Sequence, residues 1–349
     1  MGDGALTAAE IEATAGWIAS LQLPNGMIPW YAGGHADPWN HVEAAMALTV
    51  GGRRAETERA FAWLAATQLP DGSWCAYHLA EGIEDPRRDP NVGAYVATGV
   101  WWHHLLTGDG ALLRELWPVV DRAMAFVLAL QQPGGEVLWS VDPDGVPGRF
   151  ALLTGSSSIH HSLRCAVAVA EHLGEERPDW ELAAGRLGHA VAHRPESFEP
   201  KERWAMDWYY PVLSGALRGE PGRARLRDGW AAFVLEGVGV RCVRDQDWVT
   251  AAETAECVMA LDAAGWRSDA ARLLAWTRHF REDDGSYWTG CVHPQCVRFP
   301  GGERSTYTAA AVLLADHAVH GSSPAAGLFR GEGIPAAVDL AEAEGVTDR

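Results

Sequence analysis

The chain has no run of eighteen apolar residues, and so no segment that reads as a membrane-crossing helix. Basic residues are scarce: 28 lysines and arginines stand against 46 aspartates and glutamates, a formal net charge of −18. That balance excludes nucleic acid, whose phosphates demand a cationic surplus to release counterions, and it disfavours docking on anionic lipid. The N-terminus carries Asp3, Glu10 and Glu12 and lacks the basic and apolar regions of a signal peptide, so a cytoplasmic location is expected. Cysteine is sparse too. Six cysteines scattered over 349 residues predict free thiols rather than a disulfide framework. Strand signals are few, and the 38 glycines and 19 prolines gather in connections, as an array of helices and loops requires.

What the chain does have is repetition. Six small-residue, apolar stretches, at 41–48, 92–105, 159–173, 208–217, 250–261 and 306–315, recur every 45 to 65 residues or so. Each is apolar or small nearly all round, which suits a helix buried between neighbours. Amphipathic segments alternate with them, at 7–21, 56–67, 112–130, 180–193, 224–235 and 269–280. Strict alternation predicts an all-α fold, an (α/α)6 toroid or barrel of six inner and six outer helices, with the inner set parallel around a central cavity. The period runs unbroken, which implies one domain over 1–321, followed over 322–349 by a C-terminal loop and a short acidic helix at 336–345.

A second repeat lies in the connections. Gln68-Leu-Pro-Asp-Gly72-Ser-Trp74 has echoes at Gln22 to Gly26 with Trp30, at Gln131 to Gly135 with Trp139, and at Glu282 to Gly285 with Trp288. It reads as a helix stop: Pro ends the helix, Gly takes a positive φ, the Gln amide satisfies orphan carbonyls, and Trp covers the turn. These are structural staples without chemistry of their own. The run from Phe61 to Trp74 closely resembles the QW repeat of the squalene-hopene cyclase and prenyltransferase β-subunit superfamily of α/α toroids. The resemblance extends over about 320 residues at the level of the fold. It implies an isoprenoid-handling enzyme; some sugar-active toroids place similar turns between their helices.

Parallel inner helices present their N-termini together, so residues just before and within their first turns line one mouth of the cavity. Those residues are His35, Asp37, Trp39, His41 and Glu43; Asp89, Asn91 and Tyr95; Ser156, Ser157, Ser158, His160 and His161; Asp207, Trp208, Tyr209 and Tyr210; Asp245, Asp247, Trp248 and Glu253; and Arg304 and Tyr307. A structural barrel needs only Ser, Thr, Asp or Asn caps there, whereas acids, imidazoles and aromatic rings together point to an active or binding site. Adjacent helical residues diverge by about 100°, so at most one of His160 and His161 faces the cavity.

Asp245-Gln-Asp247-Trp248 before Thr250-Ala251 resembles the Asp-x-Asp-Asp-Thr-Ala acid motif of class II terpene cyclases, with Trp248 in place of the last Asp. The resemblance implies that Asp247, supported by Asp245, protonates an alkene or epoxide. Such an acid has to be held neutral in a dry pocket by neighbouring carboxyl groups. Trp39, Trp208, Tyr209, Tyr210 and Trp248 fit carbocation stabilisation, and they fit stacking on sugar rings equally well. No cofactor is expected: Cys291 and Cys296 with His293 make a thin zinc signal.

Three functions follow. The first is a terpene-cyclase-like or prenyltransferase-like enzyme acting on a small isoprenoid by aspartate-mediated acid catalysis. The second is a glycoside hydrolase, lyase or epimerase whose acid and base come from Asp37, Glu43, Asp89, Asp207 and Glu253. The third is a non-catalytic toroid subunit that works with a partner chain. Fold alone does not choose between them.

Overall fold

The computed structural model describes residues 4–338 and residue 340. Its helices run in chain order: α1 (Ala8–Leu21), α2 (Pro38–Val50), α3 (Arg54–Thr67), α4 (Pro90–Thr107), α5 (Gly110–Ala129) and α6 (Leu153–Leu173). There follow α7 (Pro178–His193), α8 (Ala205–Leu213), α9 (Gly219–Phe233), α10 (Ala251–Ala263), α11 (Arg267–Trp276) and α12 (Thr306–His320). Their ends are written locally. Asp37 and Asp89 cap α2 and α4 with their carboxylates, each followed by Pro at the first helical position, where no amide hydrogen is needed. Gly108 and Gly174 end α4 and α6 in the left-handed conformation.

The even-numbered helices form the inner ring. Each packs on the next, and α12 packs back onto α2, which closes the circle. Their small residues allow this approach: in α12 every residue from Ala309 to Ala315 is fully buried. The odd-numbered helices pack outside, with α1 across the α12–α2 seam and α5 across the α4–α6 seam. The fold is the expected (α/α)6 toroid. Among the described residues no helix is long and apolar enough to cross a membrane. The acidic helix expected at 336–345 lies largely outside the described residues.

Two small antiparallel sheets stand on the mouth of the ring. A hairpin pairs β1 (Cys75–His78) with β2 (Ile83–Arg88), and a meander runs through β3 (Val234–Leu235), β4 (Gly239–Arg241), β5 (Trp248–Thr250), β6 (Gly290–Val292) and β7 (Val297–Arg298). Strands of two to six residues carry too little alternation to be read from sequence. They matter because β2 leads into α4 and β5 runs directly into α10, which fixes how those helices start. Cys291 and Cys296 form a disulfide within the β6–β7 hairpin, while Cys75, Cys165, Cys242 and Cys257 are free. The expectation of free thiols throughout is corrected here: spacing along the chain says nothing of a hairpin that brings two sulfurs together.

The turn repeat holds consecutive outer helices at fixed spacing. The Gln68 amide donates both to Gly72 O of its own turn, at 3.0 Å, and to Val119 O of α5, at 2.9 Å. Gln22 bridges Gly26 O and Glu56 O, and Gln131 bridges Gly135 O and Ala183 O, at the same distances. The glycine is required twice over. Gly72 has φ +90°, and a Cβ there would lie 2.1 Å from Arg122 O of α5. Gly26 meets Arg59 O of α3, Gly135 meets Arg186 O of α7, and Gly285 meets Ala13 of α1, which joins the end of the chain to its beginning.

Gly72→Ala is expected to cost about 2 kcal/mol or more, since it adds a backbone clash to the ordinary penalty of a positive φ. Gly82, with φ +102° and open space around it, is the control. Thermal melts of the two alanine variants will show the larger loss at Gly72; equal losses would mean that the contact with α5 carries no energy.

Candidate active site

At the mouth the inner helices and both sheets enclose a cavity of about 360 Å³. Trp30, Trp39, Tyr77, Trp139, Tyr210, Trp248 and Tyr307 give it aromatic walls, and Asp37, Glu43, Asp89, Glu253 and Glu256 supply five carboxyl groups. Asp37 is held hard: Trp30 Nε1 and Asn40 Nδ2 each donate to its Oδ2 at 2.6 Å, and the Asn40 amide donates to Oδ1 at 3.0 Å. Burial pushes its pKa up and these donors work against that. All three partners are donors, so the surroundings fit the carboxylate form. Two places back along the inner ring, Glu253 in the first turn of α10 accepts from the hydroxyl of Thr250. Asp89 is pushed up to about 7 by burial, against the Asn91 and Val92 amides that it caps at 2.8 and 3.4 Å.

Glu43 and Glu256 form the floor. Tyr210 donates to Glu256 Oε1 at 2.8 Å, Tyr209 donates to its other oxygen, and Tyr95 lies 3.4 Å from Glu43. Burial raises both acids, and Glu43 is raised further by the charge of Glu256. Two carboxyls sharing a dry site cannot both ionise, so the floor keeps a proton at neutral pH.

A second cavity, also about 360 Å³, opens beside the first and shares with it Asp89, Asn91, Trp139, Thr154 and Met206. Val137, Leu152 and Ile159 make it largely apolar, Trp204 at 42% exposure stands at its edge, and Lys201 is the single lysine of the chain. Together the two make one elongated cleft.

No family model matches the chain. A curated relative, the MMP endo-(1,4)-3-O-methyl-α-D-mannosidase of Mycolicibacterium hassiacum, is 51% identical over 332 residues, covering 95% of this chain and 92% of that one. The chain belongs to the family of that endo-mannosidase. Solved structures show the same fold at lower identity. A wild-type glycosidase matches with a TM-score of 0.70 at 15% identity, over 89% of this chain and 98% of its own. A mannosylglycerate hydrolase from Thermus thermophilus in complex with glucose matches at 0.66 and 13%, over 88% and 99%.

Membership of the endo-mannosidase family overturns the cyclase and prenyltransferase resemblance, and with it the isoprenoid function. The turn repeat that carried the resemblance is a way of closing toroids and does not specify a reaction. The acid motif fails on its own chemistry as well. Asp245 pairs with Arg203 at 2.8 Å and Asp247 with Arg241 at 3.3 Å, both carboxylates being 56% exposed, where a cyclase acid needs a dry pocket.

Of the other residues singled out from sequence, Asp37, Trp39, Tyr210, Trp248, Glu253 and Tyr307 line the first cavity and Asp207 the second. Tyr95 stacks under Trp39 at 4.5 Å. Tyr209 lies beneath the cavity, with its hydroxyl donating to Glu256 and its ring against Tyr210. His41 is buried away from both cavities, accepting from Ile28 N at 3.1 Å and donating to Ala60 O at 2.9 Å, so the expectation that it lines the mouth is corrected. Trp208 turns outward to α9, where it donates to Arg225 O at 2.8 Å, and Arg304 pairs with Asp284 at 2.9 Å. His160 points to Ala184 O on α7, while His161 stacks on Phe329 below the floor. The zinc segment places His279, not His293, beside Cys296, and both of its sulfurs are bonded to each other.

Several site residues escaped the sequence reading. Glu256 follows Glu253 by three residues and so shares its helix face, a signal that was available. Arg87, which lies over Trp139 at 5.6 Å, and Tyr77 come from the β1–β2 hairpin and left none. Trp30 and Trp139, taken as staples of the turn repeat, face the cavity.

An acid kept protonated in the fold ionises more readily once the chain unfolds, so the native state loses stability as pH rises from the ordinary carboxyl range to the folded value, about 8 for Glu256. Glu256→Gln is expected to flatten the fall in melting temperature between pH 5 and pH 8. Parallel pH series for the two proteins would show that the floor acids contribute nothing.

Proposed function

We propose that the chain is an endo-acting glycoside hydrolase that cuts 1,4-linked chains of 3-O-methyl-α-mannose. Glu253 protonates the glycosidic oxygen, and the Asp37 carboxylate, fixed by Trp30 and Asn40, stabilises the positive charge that develops at the anomeric carbon. Water attacks the anomeric carbon as the glycosidic bond breaks, its oxygen becomes the hydroxyl of the new reducing end, and its released proton returns to the Glu253 carboxylate.

One observation on this chain supports the reading: the two cavities share a wall and form one cleft, five carboxyl groups lining the first half while the second is largely apolar apart from Asp89, Asp207 and Lys201. A chain lies through such a cleft and is cut internally, whereas a closed pocket takes only an end. Apolar walls at Val137, Leu152 and Met206 suit O-methyl groups, which replace a hydroxyl donor by a methyl that water solvates poorly. Trp139, common to both halves, offers a face to a sugar ring on either side.

The test is digestion of a 1,4-linked 3-O-methylmannose oligosaccharide with chromatographic product analysis. Internal fragments are expected first; release of monosaccharide alone would overturn the endo reading, and no cleavage the whole of it. Asp37→Asn and Glu253→Gln are each expected to lower kcat by about 10²- to 10⁴-fold while the melting temperature and circular dichroism stay near wild type.

A further inference from the structure

A third cavity, about 510 Å³, lies on the outside of the ring between α7 and the α8–α9 connection, with Ile334, Ala336, Ala337, Val338 and Leu340 along one side. It shares no lining residue with the catalytic cleft. Among the described residues its titratable lining is His160, Arg164, His189, His193 and Arg218, with no aspartate or glutamate, in a chain whose net charge is −18. Arg164, on α6, is only 5% exposed. Its Nε and Nη2 donate to Pro335 O at 3.1 and 2.9 Å, and its buried Nη1 has no partner. Arg218 at the rim donates to Gly215 O and Arg330 O, at 3.1 and 2.7 Å, both neutral carbonyls. A buried guanidinium is normally matched by a carboxylate, because desolvating an uncompensated charge is costly.

Glycines keep the space open. A Cβ on Gly188 would lie 2.7 Å from His160, and one on Gly215 or Gly331 would lie 2.3 or 2.4 Å from the Arg218 guanidinium. The Arg218 head thus sits where larger residues would displace it.

We infer that this groove is an oxyanion-binding site, in which Arg164 Nη1 and Arg218 hold a carboxylate or phosphate group and the histidines supply hydrogen-bonding walls. Two sources have this chemistry: a small anionic ligand, or the carboxylates that the sequence places next along the chain at Asp339, Glu342, Glu344 and Asp348.

The experiment titrates inorganic phosphate into the full chain at constant ionic strength, with chloride as the reference salt, and follows the melting temperature. A free ligand site predicts a saturable rise of about 3 °C, lost in Arg164→Gln and in Arg218→Gln. Arg218 is exposed, so its variant folds even if Arg164→Gln does not. A second full-length chain carries Asp339→Asn, Glu342→Gln, Glu344→Gln and Asp348→Asn together. If phosphate stabilises that chain alone, the chain's own carboxylates are the resident anion and the site stands. No response in either chain, or a response that survives Arg218→Gln, overturns it.

Discussion

A glycine pressed against the carbonyl of the next outer helix sets the geometry of this protein. At Gly26, Gly72, Gly135 and Gly285 the turn after an outer helix approaches its neighbour more closely than any Cβ allows. At the first three, a glutamine amide spans the same gap with two hydrogen bonds. Side-chain packing alone leaves helices free to slide by fractions of a turn, whereas a backbone contact with bridging amides does not. The outer ring is therefore spaced by hydrogen bonds, and the inner ring inherits that spacing through its small residues.

That spacing has a chemical result. Six inner helices running the same way bring their N-termini to one rim, and each terminus needs acceptors for its unsatisfied amides. Asp37 and Asp89 meet that need and line the cavity at once. A carboxylate used as a cap is held in one rotamer by the helix that it starts, which is the rigidity a catalytic group requires. The acids at the rim are thus positioned by folding itself, while Glu43 and Glu256 below are positioned by tyrosine hydroxyls.

The ring was legible in the sequence because its signal is long: twelve segments, each with several turns of consistent patterning. The site was legible wherever it sits in the first turns of those helices, as with Asp37, Trp39, Tyr210 and Glu253. It was not legible where short strands deliver it. Asp247, just before β5, and Trp248, its first residue, are neighbours on an extended stretch, so the ring enters the cavity and the carboxylate goes to Arg241. Reading that stretch as an acid motif at the start of an inner helix put both at the cavity mouth. The resemblance to cyclases failed for a related reason, since what it matched was the closing device of the toroid, shared by proteins whose cavities hold unrelated chemistry.

The turn repeat also shows that structural and functional residues need not be separate sets. Its glutamine and glycine serve the ring, and at Trp74 so does its tryptophan, fully covered and donating to Leu64 O at 2.9 Å. The same tryptophan at the other turns is free to do something else. Trp30 reaches across to Asp37 Oδ2 at 2.6 Å, and Trp139 forms the wall common to both halves of the cleft. Because the glycine contact already fixes the turn, the ring tolerates displacement of the aromatic residue by a few positions. Displacement toward the mouth gives the cavity a rigid wall whose backbone is anchored by the outer helices. A site assembled this way takes its precision from the scaffold, and its identity from the side chains that the scaffold does not need.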